Sequence, residues 1–168
     1  YTRRTNLIGL ARGAKHGRRR LSFHRFEEIE SRLLTAHLSS GEAPIIEGQY
    51  VYFCLNQKKA GTGSELHYHP NELLIFILRG RVNAVVGRDH RIAEPGTFIV
   101  IPPNVRHSMK ATEDGACAYL YIKDRTWTVV GVGADEALPE RPLTMDEADE
   151  IARSGTRPKV KTVGVSQA

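Results

Sequence analysis

Between Gln49 and Lys123 the sequence is a series of short apolar runs separated by turn-forming residues. Glu94-Pro95-Gly96 places Pro before Gly, as a type II turn prefers, and Pro102-Pro103 stops the run that precedes it. Many short strands at regular spacing are typical of an all-β sandwich or barrel. The strands are therefore predicted at 50–55, 73–78, 82–86, 97–101, 107–111 and 116–123.

The segments on either side of these strands show helical patterns. Apolar residues recur at helical spacing and predict an amphipathic helix over residues 25–38, ended by Gly41; they are Phe26, Ile29, Leu33, Leu34 and Leu38. Near the C-terminus, Thr144 and Glu147 form a capping box that opens a short helix, and Gly155 ends it. We therefore divide the chain into a basic arm with a helix (1–41), a barrel (42–126) and a C-terminal extension with a short helix (127–168).

The positive charge is concentrated at the N-terminus. The chain carries a formal net charge of +5, but residues 1–20 contain seven basic residues and no acid, so the remainder is slightly acidic. A basic arm can bind nucleic acid. No aromatic side chains alternate with the basic ones as a single-strand platform requires, so we expect no nucleic-acid partner. The arm is then either a solvated tail or a segment that crosses onto a partner subunit.

Membrane insertion and a disulfide framework are both disfavoured. No apolar run approaches the ~20 residues that cross a bilayer, and no apolar signal-peptide region is visible at the N-terminus. The two cysteines, Cys54 and Cys117, each lie in a strand-like run and predict buried free thiols in a reducing compartment. These features predict a cytoplasmic protein with no membrane partner.

Two motifs between residues 61 and 111 carry the chemistry. In the first, Gly61 is followed after five residues by His67-Tyr68-His69, and Gly80 closes it. In the second, Gly96 is followed by Pro102, Asn104 and His107. This pair of motifs resembles the signature of the cupin superfamily, in order and at that family's shortest usual separation. The resemblance implies a double-stranded β-helix, that is, a jelly-roll barrel with short flanking α-helices.

The histidines of both motifs suit one metal ion. His67 and His69 are two residues apart in a strand, so their side chains project from the same face. Barrel closure can bring His107 alongside them. Imidazole binds zinc, iron, copper and nickel. We therefore predict one divalent ion per chain, bound by His67, His69 and His107.

The resemblance is incomplete in both motifs. The acidic ligand of the cupin motif would fall at residue 73, which is Leu in this sequence. Glu72 lies one position early, and strand alternation turns it away unless Pro70 bends the chain, so Glu72 is the candidate fourth ligand. Asn104 replaces a Gly and can still adopt the left-handed turn, whereas Ala111 replaces the terminal Asn of the second motif.

Three neutral histidines without a carboxylate resemble the ferrous centres of diketone- and thiol-oxidising cupin dioxygenases. The resemblance implies Fe(II), with zinc, nickel, manganese or copper as alternatives, and a dioxygenase acting on a small organic acid or diketone. The metal would keep its +2 charge, which favours an anionic small-molecule substrate. The alternatives are a binding or sensor module without turnover, and a non-redox lyase or isomerase in which the metal is a Lewis acid.

Other residues near the motifs receive structural roles. Leu73, Ile75 and Met109 share the inward face and are predicted to line the pocket. Tyr119 and Tyr121 are predicted to pack in the core, Tyr68 to point outward and Arg106 to be solvated; the remaining histidines are interpreted as surface or structural residues. Because the apolar stripe of the predicted N-terminal helix must be buried, we expect a homodimer in which that segment contributes to the interface.

Overall fold

The computed structural model describes residues 23–155, and it forms two antiparallel sheets with one α-helix in that range. The strands are β1 (Ser31–Leu33), β2 (Glu42–Glu47), β3 (Val51–Lys58), β4 (His67–Tyr68), β5 (Leu73–Arg79), β6 (Val82–Val86), β7 (Asp89–Ala93), β8 (Phe98–Ile101), β9 (His107–Ala111), β10 (Cys117–Asp124) and β11 (Val132–Gly133). A 3₁₀ turn covers Phe26–Glu28, and helix α1 covers Met145–Ser154.

The two sheets face each other as a jelly-roll barrel. The larger sheet has the strand order β1-β2-β3-β10-β5-β8, and the smaller has the order β11-β4-β9-β6-β7. The central pairs of the larger sheet are long: β10 pairs antiparallel with both β3 and β5. The predicted all-β jelly-roll fold is confirmed.

Alternation along the strands builds the barrel interior. On β5 the buried residues are Leu73, Ile75 and Ile77, and the residues between them are more exposed. Burial of each such side chain contributes about 1.5–3 kcal/mol relative to exposure. The same period on β10 directs Cys117, Tyr119, Tyr121 and Lys123 into the barrel. Both cysteines are buried and free, as predicted.

The amphipathic helix predicted over residues 25–38 is wrong. The segment contains the 3₁₀ turn, then β1, which pairs with β2 at the edge of the larger sheet. Phe26 stacks on Phe53, with ring centroids 5.7 Å apart, and Leu34 is buried in the barrel core. The edge of β2 offers a row of backbone hydrogen-bonding groups, and pairing with it overrides a helical periodicity that extends over only a few turns. The basic residues 1–20 lie outside the described range.

The turns follow the sequence more closely. Gly80 and Gly96 have φ of 72° and 89°, values that favour glycine, and Asn104 adopts the left-handed region at 63° as expected. Its backbone N–H donates to the carbonyl of His69 at 2.8 Å, so this turn is joined directly to the first motif. Strand β7, which begins at Asp89, is not among the strands predicted from the sequence.

The C-terminal extension packs back onto the barrel. In α1 the Thr144 hydroxyl accepts from the Glu147 N–H, the Glu147 carboxylate accepts from the Thr144 N–H, and Gly155 ends the helix in the left-handed region. The predicted capping box and stop are thus both confirmed. Ala148 is buried against Val129 and Val130. Within residues 23–155 no helix is long and apolar enough to cross a membrane.

Candidate metal centre

The three histidines of the two motifs meet inside one end of the barrel. His67 on β4 is the register partner of His107 on β9, and their ring centroids are 4.3 Å apart. His69 follows β4 directly, and its ring lies 4.8 Å from that of His107. One nitrogen from each ring falls within 4.8 Å of the others. Histidines that lie about forty residues apart in the sequence therefore form a single cluster, because β4 pairs directly with β9.

Backbone carbonyls fix the orientation of each ring. Nδ1 of His67 donates to the Glu65 carbonyl at 2.8 Å, and Nδ1 of His107 donates to the Val105 carbonyl at 2.8 Å. Nδ1 of His69 donates to the Asn71 carbonyl at 3.1 Å. With the proton held on Nδ1, the lone pair of Nε2 is free on every ring, which is the arrangement found around metal-binding histidines.

Two of these Nε2 atoms have no partner among residues 23–155. Nε2 of His69 and of His107 are buried without a hydrogen bond, and both residues are 1% exposed. A buried polar atom without a partner is costly, so the site fits a ligand that accepts these lone pairs. Bonds of about 2.0–2.1 Å place two nitrogens on one ion at most about 4.2 Å apart. The nitrogens of the three rings lie within 4.8 Å of one another, which is close to that limit. The three histidines can therefore hold a metal ion.

The surroundings keep the imidazoles neutral. Burial lowers the pKa of His67 well below its ordinary value, and the nearby His107 lowers it further. Burial also lowers the pKa of His69, with the charge of Lys123 as the second cause, and it lowers the pKa of His107 to about 4. Because only the neutral ring can ligate, these shifts leave the cluster ready to bind metal at neutral pH.

No carboxylate joins the cluster among residues 23–155. Glu72, the candidate fourth ligand, has an exposed side chain, and its backbone N–H donates to the Asp124 carboxylate at 2.6 Å. Leu73 occupies the position of the acidic ligand and is buried on the cavity wall. The donor set presented to a metal is thus three neutral nitrogens.

A small cavity opens from the histidines into the barrel. Its volume is about 50 Å³, which is enough for a few water molecules or a compact ligand. Leu73, Ile75 and Met109 line it, as do Tyr119 and Tyr121, which are also packed in the core. Tyr68 points away from the cavity, where its hydroxyl donates to the Glu136 carbonyl at 2.7 Å. Arg106 is also outside, with Nε donating to the Ala134 carbonyl at 2.9 Å.

Several residues of the site were not predicted from the sequence. Lys58, Lys123 and Asn56 all line the cavity and are at most 5% exposed. Gly131 lies against the His67 ring, where an added Cβ would be 2.6 Å from Cδ2. Strand parity was the available signal for Lys123, since it follows Tyr119 and Tyr121 at the same period. Nothing in the sequence around Gly131 indicates the contact.

Comparison with known proteins agrees with this geometry. The model of the family described as "Cupin domain" matches residues 57–123, which include all three histidines. A search of curated protein sequences found no match.

Solved structures with the same fold are distant in sequence. An RmlC-like cupin from Shewanella frigidimarina is 13% identical, with a TM-score of 0.54 over 62% of this chain and 91% of that chain. The polyketide cyclase RemF from Streptomyces resistomycificus is 15% identical, with a TM-score of 0.61 over 73% and 90%. Oxalate decarboxylase from Bacillus subtilis is 19% identical, with a TM-score of 0.51 over 59% of this chain and 28% of that chain. At these identities the likeness concerns the fold.

Proposed function

Because this chain belongs to the cupin superfamily, we propose that it is a mononuclear non-haem iron dioxygenase that acts on a small organic acid or diketone. The observation that carries the proposal is the all-histidine donor set: one nitrogen from each of three rings lies within 4.8 Å of the others, and each Nδ1–H is held by a carbonyl. No carboxylate of the described part of the chain joins the centre to reduce the charge that it presents to a substrate.

The residues of the chain prepare the site for this chemistry. His67, His69 and His107 would hold Fe(II), which would supply the redox chemistry between an organic anion and dioxygen. The protein holds the three imidazoles in one tautomer, and the walls formed by Leu73, Ile75 and Met109 limit the access of water. The size of the cavity restricts the organic substrate to a compact molecule.

The first experiment identifies the metal and follows oxygen. The full chain is purified from cells grown without added zinc or nickel, its metal content is measured by elemental analysis, and oxygen uptake is recorded with a panel of small organic acids and diketones. We expect about one iron per chain and uptake with at least one anionic substrate. Tightly held zinc or nickel with no oxygen uptake would contradict the dioxygenase and support a lyase, an isomerase or a binding module.

Substitution of the ligands tests the site itself. His67→Ala, His69→Ala and His107→Ala are each expected to lose most of the stoichiometric metal, because each removes one of only three donors. Glu72→Gln is the matched control and should keep its metal, since that carboxylate is exposed. Full occupancy in all three histidine variants would rule out the assignment, and metal loss in Glu72→Gln would make Glu72 a fourth ligand.

A further inference from the structure

Two buried lysines share the cavity with the histidine cluster. Lys58 is on β3 and Lys123 is on β10, and each follows the inward period of its strand. They are 4% and 2% exposed, although lysine is rarely fully buried unless its charge is paired. Both line the cavity, where the charge of Lys123 acts on all three histidines and that of Lys58 acts on His67.

Neither ammonium has an anionic partner among the described residues. Nζ of Lys123 donates to the Val129 carbonyl at 3.0 Å, and Nζ of Lys58 donates to the Ser39 hydroxyl at 3.1 Å. An ammonium has three N–H donors, so each uses only part of its capacity. No Asp or Glu lines the cavity, and the carboxylate of Asp124, the chain neighbour of Lys123, instead accepts from the Glu72 and Thr126 N–H groups.

This arrangement is costly without a ligand. Burial lowers the pKa of Lys123 to about 7 and that of Lys58 to about 8, because removing an ammonium from water disfavours its charge. An apolar side chain of similar length would fill the same space without that cost.

We propose that Lys123 and Lys58 form an anion-binding subsite, and that the substrate is a compact dianion with one anionic group at the histidine centre and the other on these two lysines. The inference rests on the proposed function, because the substrate's first anionic group is the one that binds at the histidine centre. It narrows the substrate class from organic acids and diketones to acids with two anionic groups. The cavity volume favours a short dicarboxylate or a carboxylate–enolate over a longer acid.

Calorimetric titration of malonate and acetate into zinc-loaded full chain tests the subsite without turnover. Malonate has two carboxylates and is expected to bind at least about tenfold more tightly than acetate. Lys123→Met and Lys58→Met are each expected to weaken malonate binding by about tenfold or more, because each removes a charge-assisted hydrogen bond, and to affect acetate less. Lys59→Met is the matched control, since Lys59 is the exposed neighbour of Lys58.

Metal content and thermal stability are measured on every variant. We expect unchanged zinc and an unchanged or higher Tm in Lys123→Met, because a buried charge without an anionic partner is removed. A lowered Tm with unaltered malonate affinity would show that Lys123 only supports the segment of Val129, and it would overturn the proposal. Equal affinity for malonate and acetate in the wild-type protein would overturn it as well.

Failure of the metal site gives a different result from failure of the subsite. If the histidines hold no metal, the dioxygenase proposal fails, and malonate is then titrated into the metal-free chain. Weaker malonate binding by Lys123→Met in that protein would still support the lysine subsite, whereas identical binding by wild type and variant would refute it.

Discussion

Gly131 leaves the space that the His67 ring occupies. A Cβ at this position would lie 2.6 Å from His67 Cδ2, closer than side-chain atoms approach one another. Gly131→Ala is therefore expected to displace the ring and to weaken metal binding by about tenfold or more, as loss of an orienting contact does. Competition with a chromogenic chelator measures the affinity. Gly115→Ala is the control, because nothing lies within 4 Å of its added Cβ, and equal affinities in the two variants would contradict this role of Gly131.

Single residues also mark the limit of prediction at the site. The sequence identifies His67, His69 and His107 because motif spacing and strand parity are local properties. Strand alternation also places Lys58 and Lys123 on the inward faces of their strands. However, lysine is usually a surface residue, and only the closed barrel shows that both are buried. Gly131 contacts His67 across sixty-four residues of sequence, a relation that no local pattern contains.

Among the elements, helix α1 begins with a capping box that we expect to contribute to its stability. Thr144→Ala removes the side-chain acceptor for the Glu147 N–H and is expected to destabilise the helix by about 1 kcal/mol. Hydrogen exchange of the α1 amides measures the loss, and Ser31→Ala, an exposed hydroxyl on β1, should leave that exchange unchanged. Exchange of α1 at the wild-type rate in Thr144→Ala would contradict a stabilising cap.

The stability of α1 should also depend on pH through Glu147. The Arg141 guanidinium and the Thr144 N–H hold the pKa of this carboxyl at about 2, below its ordinary value of 4.5. A carboxyl with a lowered pKa in the folded state contributes stability above the unfolded pKa and loses it as the pH falls toward the folded pKa. Protection of the α1 amides should therefore decline between about pH 4.5 and pH 2, and Glu147→Gln should flatten that decline.

The strands and the N-terminal segment show why some elements were predictable. Strands β6 and β9 begin and end where the sequence predicts, because alternation and flanking turns mark them locally. Strand β1 has only three residues, and its pairing with the edge of β2 depends on a partner that the segment itself does not reveal. A helical spacing of apolar residues was therefore an insufficient guide there.

At the scale of the whole molecule, no part of residues 23–155 covers an apolar face on the outside of the larger sheet. It consists of Phe76, Leu78, Phe98 and Val100, each between 37% and 56% exposed, on β5 and on the edge strand β8. An exposed apolar edge of this kind favours association with a second copy. The predicted homodimer stays a prediction, and this face is an alternative to the N-terminal segment, whose Phe26 and Leu34 contact the barrel of their own chain.

Light scattering on the full chain and on Phe98→Glu distinguishes the two interfaces. We expect a dimer that dissociates in Phe98→Glu, because a carboxylate would be buried without a partner. Ile92→Glu is the control, since Ile92 is equally exposed at 56% but lies on β7 of the other sheet. A monomeric wild-type chain would contradict the dimer, and a Phe98→Glu dimer of unchanged stability would return the interface to the N-terminal segment.

The segment after β10 joins the cavity to the only tryptophan of the sequence. Trp127 is half-buried, and its backbone carbonyl accepts a hydrogen bond from Asn71 Nδ2 at 3.2 Å. The backbone carbonyl of Asn71 in turn accepts from Nδ1 of His69. Two residues further on, the Val129 carbonyl accepts from Lys123. The backbone of the single tryptophan is thus linked to His69 through Asn71, and it lies two residues from the carbonyl that accepts from Lys123. We expect the fluorescence emission of Trp127 to change when the site is occupied, so that binding can be followed without a label.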